Sequence, residues 1–455
     1  MISLVFRAAQ GRDMTDGSEV AIAGQFPQAP AVGQKAARFS VPEQITVSLL
    51  WFALFANWLT VVPVIVPDQV AAILGPNAAA KEGIAGSILA IGAVMALIMA
   101  PLAGAISDRA RGIKGRRRPF LIAGMIGTCV GLAFLVPFGQ GSSVFLYLLA
   151  ILNLQFWWNW ACGPYAGLIP DVVPERDQAS ASAWMNIMSI LGTFTGNGIA
   201  VVLYVHGRPA ASIAALIAVN LACLALTLRG VREPPAAGAT SPFELGPFLR
   251  SFWLRLGAHQ NFYWVLITRL FANLGVWSVM TFLLYYLHDV IGVAEPGRVL
   301  PMLLGLGAML GIPASLVSAR LADRYGIIAI VKATSWMMAA AAIAYVMIAF
   351  NPYLLLTVPV FLVYFAGWGA YQAIDWALAL KVLPRSETAG KDMGIWHVAL
   401  VLPQILGPFL TGWVITGAKL AVSARFAYAL AFAIAALWFS LSAILVARVR
   451  LPRPA

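Results

Sequence analysis

The chain has 455 residues, 61% of them hydrophobic and only 11% charged, far below the roughly 25% charged residues of an average soluble domain. That excludes an ordinary soluble enzyme or binding module for most of its length and places it in lipid. A net charge of +12 would point to a polyanion partner in a soluble protein, but in a membrane protein the location of the charges has to be read first.

The first 43 residues are polar and rich in Gly and Ala, and the opening MISLVF is too short for the apolar region of a cleaved signal. Residues 1–43 therefore read as a disordered tail. A membrane-crossing helix needs about 20 mostly apolar residues, and twelve such runs follow: 45–66, 83–106, 120–138, 143–169, 182–205, 209–228, 261–288, 299–318, 328–350, 353–380, 393–416 and 425–447. The expected organisation is a six-helix bundle over 44–228, a linker over 229–260, a second six-helix bundle over 261–447 and a tail over 448–455. An even number of spans puts both termini on one side. That side holds 24 of the 30 Lys and Arg, and the other holds Lys81, Arg208, Arg298, Lys419 and Arg425. Basic segments resist translocation, so both termini are expected in the cytoplasm, with the chain in the inner cell membrane.

The densest charge run is SDRARGIKGRRRP, Ser107 to Pro119, with six Arg or Lys in thirteen residues. Its position between the second and third runs removes any reason to read it as a nucleic-acid patch. Its basic residues are expected to be solvated and to hold the loop in the cytoplasm. The connection after the sixth run invites a search for internal repeats. LFAN recurs at 54–57 and 270–273, Asp108-Arg109 recurs as Asp323-Arg324, and VVP at 172–174 recurs as VLP at 382–384, at offsets of 216, 215 and 210. Three matches in chain order at nearly one offset point to two parallel six-helix repeats, an arrangement that binds substrate between its halves near the midplane.

These features resemble the major facilitator superfamily. Gly104, Asp108 and Arg109 match its G-x-x-x-D-R-x-G-R-R loop before an insertion delays the GRR to Gly115-Arg116-Arg117. The longer GRRRPF, Gly115 to Phe120, is similar to the loop of sucrose transporters and of glycoside-pentoside-hexuronide cation symporters. The resemblance implies an all-α fold of two parallel six-helix repeats, with helices 1, 4, 7 and 10 facing a central cavity. It also implies that Asp108 contacts the start of helix 11, and by symmetry Asp323 would face helix 5. A carboxylate at a helix N-terminus is favoured by free N–H groups and the helix dipole. Gly104, Asp108, Arg109, Asp323 and Arg324 are thus the expected gate.

In run ten, Tyr364, Trp368, Tyr371, Gln372 and Asp375 share one helical face. A lipid-facing stripe has no reason to collect a carboxylate, an amide and three polar aromatics, whereas a wet cavity does. Asp375 and Arg269 are the acid and base well inside predicted spans, both roughly 10 Å deep from the cytoplasmic side, where they can pair. One reading is a static tie in the second bundle; the other is a carboxylate that gains and loses a proton as its partner changes. In run four, Gln155 and Asn159 lie four residues apart beside FWWNW, and Trp158 aligns with Trp368 at offset 210. Aromatic faces beside amides suit a sugar, although indoles also fill helix-helix space. Asn57 and Asn273 occupy equivalent positions in runs one and seven and complete the expected binding set: Asn57, Gln155, Trp158, Asn159, Asn273, Trp368, Tyr371 and Gln372.

Cysteines and histidines show no metal-ligand spacing, and no cofactor or metal is expected. The chain has no G-x-x-x-x-G-K-[ST] phosphate cradle. Predicted spans two and four lack the carboxylates of melibiose-type sodium symporters, which favours protons. The expected function is proton-coupled symport of a neutral sugar, with Asp375 and Arg269 as the coupling pair. The alternatives are an exporter or uniporter of another organic solute, a transport-dead membrane sensor, or a lipid-linked glycosyltransferase with acids in the non-cytoplasmic loops, among them Asp68, Glu82, Asp289 and Glu295.

Overall fold

The computed structural model describes residues 39–450 apart from 76–77, 113–114, 142, 175–176, 205, 235–245, 247–259 and 383–388. The expected tail falls mostly outside the described residues, and its end, Val41 to Glu43, already belongs to the first helix.

Among the described residues, twelve helices are long and apolar enough to cross a membrane. The first, α1, spans Val41–Leu74, with a π-helical turn at Val61–Ile65. Pro63 has no N–H to donate inside that turn, a local reason for the ladder to slip. Then come α2 (Lys81–Arg109), α3 (Arg118–Phe138), α4 (Val144–Ala166), α5 (Gln178–Ile199) and α6 (Pro209–Gly230). The second half has α7 (Gln260–Met280), α8 (Pro296–Tyr325), α9 (Ile327–Phe350), α10 (Leu354–Val382), α11 (Ala389–Ala421) and α12 (Ala424–Leu445). Several helices outrun their apolar segments, because polar residues can end a helix in the interface. This moves Asp68 and Glu82 from expected loops into α1 and α2, and Asp323-Arg324 into the last turn of α8. The expected seventh run is instead broken, with α7 ending at Met280 and a short helix following at Leu283–Asp289.

In the first half, α1 packs on α5 and α6, α3 on α4 and α6, and α2 on α4. In the second, α7 packs on α11 and α12, α8 on α10, and α9 on α10 and α12. Close approach within a bundle depends on glycine. A Cβ on Gly192 or Gly196 of α5 would meet the carbonyl oxygens of Phe52 and Ala56 in α1 at 2.1 and 2.0 Å.

The bundles meet where α2 crosses α11 and α5 meets α8. The crossing lies on the face opposite the described chain ends, called here the far face. A Cβ on Gly86 would sit 2.2 Å from the carbonyl oxygen of Pro408, and one on Gly412 would sit 2.5 Å from that of Glu82. Thr416 Oγ1 accepts from the Gly83 N–H at 3.0 Å, Trp413 donates to Ser87 at 3.1 Å, and Tyr285 Oη donates to the Pro67 carbonyl at 2.7 Å. Trp58 of α1 and Trp277 of α7 close the same side, with ring centroids 5.7 Å apart. These contacts close the bundles against each other at the far face.

Gly196→Leu should cost on the order of 3 kcal/mol or more through overpacking of α5 on α1. The expected outcome is a marked fall in melting temperature or loss of the monodisperse species, read by thermal unfolding and size-exclusion chromatography.

Candidate functional site

The two opposite charges expected inside the second bundle do meet. Arg269 of α7 donates through its Nη1 to Asp375 Oδ2 of α10, and both side chains are buried. The other carboxylate oxygen accepts from Tyr371 Oη at 3.3 Å. Asn273 lies one turn along α7, buried, with its amide donating to the Arg269 carbonyl oxygen at 2.9 Å. A charge in this environment is tolerated because its partner is in contact.

Helical spacing explains the rest of the stripe. Trp368 and Gln372 are half-buried, and the buried Trp368 Nε1 has no partner among the described residues. Trp51 of α1, half-buried, is a second indole whose Nε1 has no partner among the described residues. In α4, Gln155 and Asn159 are half-buried, Asn159 donates to the Gln155 carbonyl oxygen at 2.8 Å, and the Gln155 side chain lies against Gly92 of α2. Sequence reasoning passed over Trp51, whose only signal was an indole well inside an apolar run.

Other expected binding residues lie elsewhere. Asn57 is fully buried and its amide exchanges hydrogen bonds with Asn220 of α6, at 3.0 and 3.2 Å. It is committed to helix packing in this conformation. Trp158 is also buried, on the stripe it shares with Cys162 and Tyr165. Trp157 fills the space over Gly127 of α3, and Trp160 stacks with Phe120 and Phe156. Most of FWWNW is therefore bundle packing.

Tyr165 occupies the position equivalent to Asp375, and its hydroxyl donates to the Val47 carbonyl oxygen of α1 at 2.7 Å. Both halves tie their fourth helix to their first at this level, one through a neutral hydroxyl and the other through an ion pair.

The GRRRP loop departs from the expectation of solvated charge. Arg117 is 4% exposed. It binds Asp171, donates to Asp108 Oδ1 at 2.8 Å, and reaches Ser107 and the Pro164 carbonyl oxygen, each at 3.3 Å. Arg116 grips Asp171 with three further bonds at 2.8, 2.9 and 3.2 Å, and Arg118 donates to the Leu228 carbonyl oxygen. A bidentate guanidinium makes such a clamp specific. Burial pushes the Asp171 carboxyl up, but Arg117 and Arg116 outweigh it and hold the group below the usual carboxylate range. Asp108 thus answers to its own loop, while the side chains at the start of α11 lie outside the described residues. Arg109 donates to the Ala105 carbonyl oxygen at 2.9 Å, and Gly104 lets α2 lie against Gly163 of α4. Asp323 and Arg324 are exposed, and no ion pair of Asp323 is found among the described residues.

A second charge cluster went unread in the sequence because its members lie far apart in the chain. At the far face Lys81 of α2 meets Asp289 at 2.8 Å, and Lys419 of α11 meets both Glu82 of α2 and Asp289 at 2.8 Å. Tyr428 of α12 donates to Glu82 Oε1 at 3.0 Å. Lys81–Asp289 and Lys419–Glu82 cross between the bundles.

Gly115 explains the loop's delayed glycine. Its φ is +105°, and a Cβ there would lie 2.3 Å from Cβ of Glu233, whose carboxylate accepts from the Arg117 N–H at 2.9 Å. Gly115→Val should lose about 1–3 kcal/mol from the forbidden backbone region alone, read as a lower melting temperature, with Arg116→Ala milder. The Asp171 clamp should survive mild acid and weaken only as pH falls through its lowered pKa, because a depressed carboxylate pKa stabilises above that range and is lost below it.

Residues 47–390 match the Major Facilitator Superfamily. Over 297 residues the chain is 28% identical to solute carrier family 45 member 3 of Homo sapiens, an alignment covering 52% of this chain and 53% of that protein. The chain thus spans about half the length of that relative. A bacterial homologue of the human lysosomal transporter Spinster, solved inward-facing, superposes with a TM-score of 0.67 at 13% identity, covering 91% of this chain and 100% of the other. A D-xylose-proton symporter superposes at 0.64 and 16% identity, covering 88% and 97%. Likeness at such identities is likeness of fold. With a family match over most of its length and the twelve-span fold to go with it, the chain belongs to the Major Facilitator Superfamily.

Proposed function

We propose that this protein is a proton-coupled importer of a neutral sugar, with the chain ends and the GRRRP loop in the cytoplasm of an inner-membrane protein. The observation that carries the reading is the buried Arg269–Asp375 pair beneath a half-buried polar stripe on α10. Ionisable groups are costly inside a membrane protein and usually mark a pathway or relay. Asp375 takes the proton in this proposal, and Arg269 holds the carboxylate ionised when the proton leaves.

The sugar half of the reading rests on donors and acceptors. Gln155, Asn159 and Gln372 offer amides from opposite halves, and Trp51 and Trp368 offer unpartnered indole N–H groups beside aromatic faces. Hydroxyls fit such donors, and C–H faces fit the rings. The resemblance of GRRRPF to sugar-symporter loops supports the same class, and the pairing of Arg269 with Asp375 leaves no surplus charge for an anion. Asn57 and Trp158 drop to supporting roles because their side chains are engaged within the first bundle. Asp108 acts in gating through Arg117 of the clamp on Asp171, with Gly104 and Arg109 beside it on α2, and Asp323-Arg324 is the exposed counterpart.

Uncoupled transport is the second reading, and Tyr165 favours it: an equivalent residue does the same tying job without a charge. One proton per sugar supports up to about tenfold accumulation for each unit of pH gradient. In proteoliposomes, Asp375→Asn should reduce accumulation to equilibration while leaving counterflow exchange within roughly twofold of the parent, the signature of lost coupling with retained binding. Unchanged accumulation by Asp375→Asn would remove Asp375 from the mechanism. A thermal-shift screen should show stabilisation by sugars at concentrations above Kd; stabilisation only by amino acids or lipophilic cations would overturn the substrate class.

A further inference from the structure

The far-face cluster is not used by the proposed coupling pair. It is almost dry: the Lys81, Glu82, Asp289 and Lys419 side chains are 2, 0, 8 and 17% exposed. With all four groups ionised, two lysines balance two carboxylates. Both oxygens of Asp289 are occupied, Oδ1 by Lys81 and His288 and Oδ2 by Lys419. Glu82 is different. Its Oε1 accepts from Lys419 and Tyr428, while its buried Oε2 has no partner among the described residues.

We propose that Glu82 is a proton-binding residue of the transport cycle, taking a proton from the external medium on Oε2 and thereby unlocking the outer face. The proposal rests on the assignment of the far face to the outside. Protonation leaves one positive charge in excess between α2 and α11 and removes the attraction of Glu82 for Lys419, so the bundles part. Loss of the proton to external water restores the neutral four-charge lock. Lys81 and Lys419 then share Asp289 alone, and two ammonium groups on one carboxylate are unfavourable where burial leaves little water to offset the excess charge.

The other groups facing the lock do not take over this part. Burial pushes Asp289 up, but hydrogen bonds from Lys419, Lys81 and His288 outweigh it and hold its carboxyl at about 2, so it stays ionised. Tyr428 donates its proton to Glu82, and Tyr285 lies under Lys81, with Lys81 Nζ 5.0 Å from the ring centroid. Tyr285 also lies within electrostatic reach of Asp68 and Tyr147 of the first bundle, where Asp68 is bound by Tyr204 at 2.8 Å. His288, 39% exposed, lies against Asp289 Oδ1 at 2.8 Å, and the test separates it from Glu82.

The full chain, with its three cysteines replaced, would carry spin labels at Arg208→Cys and Arg298→Cys, which flank the junction of α5 and α8 at the outer face. In lipid nanodiscs without substrate, distances are measured by double electron-electron resonance from pH 8 to pH 5. The open-to-closed ratio should rise as pH falls, by at most about tenfold per unit for one proton. Glu82→Gln should be open at both pH values with less than about a twofold change across the range, and His288→Gln should keep the parent response. Glu82→Gln combined with Lys419→Gln restores neutrality and should be closed and insensitive to pH, which also covers the case in which Glu82→Gln alone is poorly folded. A parent protein without a pH response, Glu82→Gln with the parent response, or a response abolished by His288→Gln alone would each overturn the proposal. No sugar enters the measurement, so failure of the sugar reading leaves the outcome interpretable.

Discussion

A charge placed among apolar helices must have a partner, since leaving one buried and unpaired costs about 3–5 kcal/mol. That constraint organises this molecule at three levels. Within the second bundle it binds α7 to α10 through Arg269 and Asp375. Between bundles it joins α2 to α11 and to the segment after α7 through Lys81, Glu82, Asp289 and Lys419. At the opposite face it folds the loop after α2 onto the end of α4 through Arg116, Arg117 and Asp171. Pairs inside a bundle keep it rigid, whereas pairs between bundles exist only while one face is closed.

Glycine supplies the complementary constraint. Backbones approach to contact where α5 meets α1 and where α2 crosses α11. The first approach is part of a permanent core. The second sits beside the ion pairs that close the far face, one small, well-matched patch between two bundles that are each packed internally. Contacts of this kind switch between discrete arrangements because packed interfaces do not deform continuously.

The two halves are alike in architecture and unlike in chemistry. At the level where Tyr165 hooks a carbonyl of α1, Asp375 binds an arginine of α7. An ion pair does everything the hydroxyl does and adds a group that can change charge. In the proposed function that asymmetry puts the coupling group in the second bundle, with Gln155, Asn159 and Trp51 as the first bundle's candidates for the substrate.

Much of the stripe on α10 was legible because helical periodicity fixes which side chains share a face; Arg269 and Asp375 were legible as a pair because each had a single opposite charge at its depth. Asn57 was not, because an amide in an apolar run looks the same whether it meets a ligand or another amide, and only the packing of α1 on α6 shows Asn220 waiting for it. Arg117 looked like one more solvated base because nothing local reveals that Asp171, 54 residues on, will fold over it. Glu82 and Asp289 looked like loop acids because the helices run past their apolar segments and the partners lie more than a hundred residues away.

By itself the sequence determined the number of spans, the division into two repeats and the family, since apolar run length, charge asymmetry and recurring motifs are local properties of the chain. Which face is closed, which charges close it and which indoles and amides remain without partners were decided only by the tertiary structure. Long-range pairing depends on how helices pack against one another, and that leaves no local trace in the residues that end up touching.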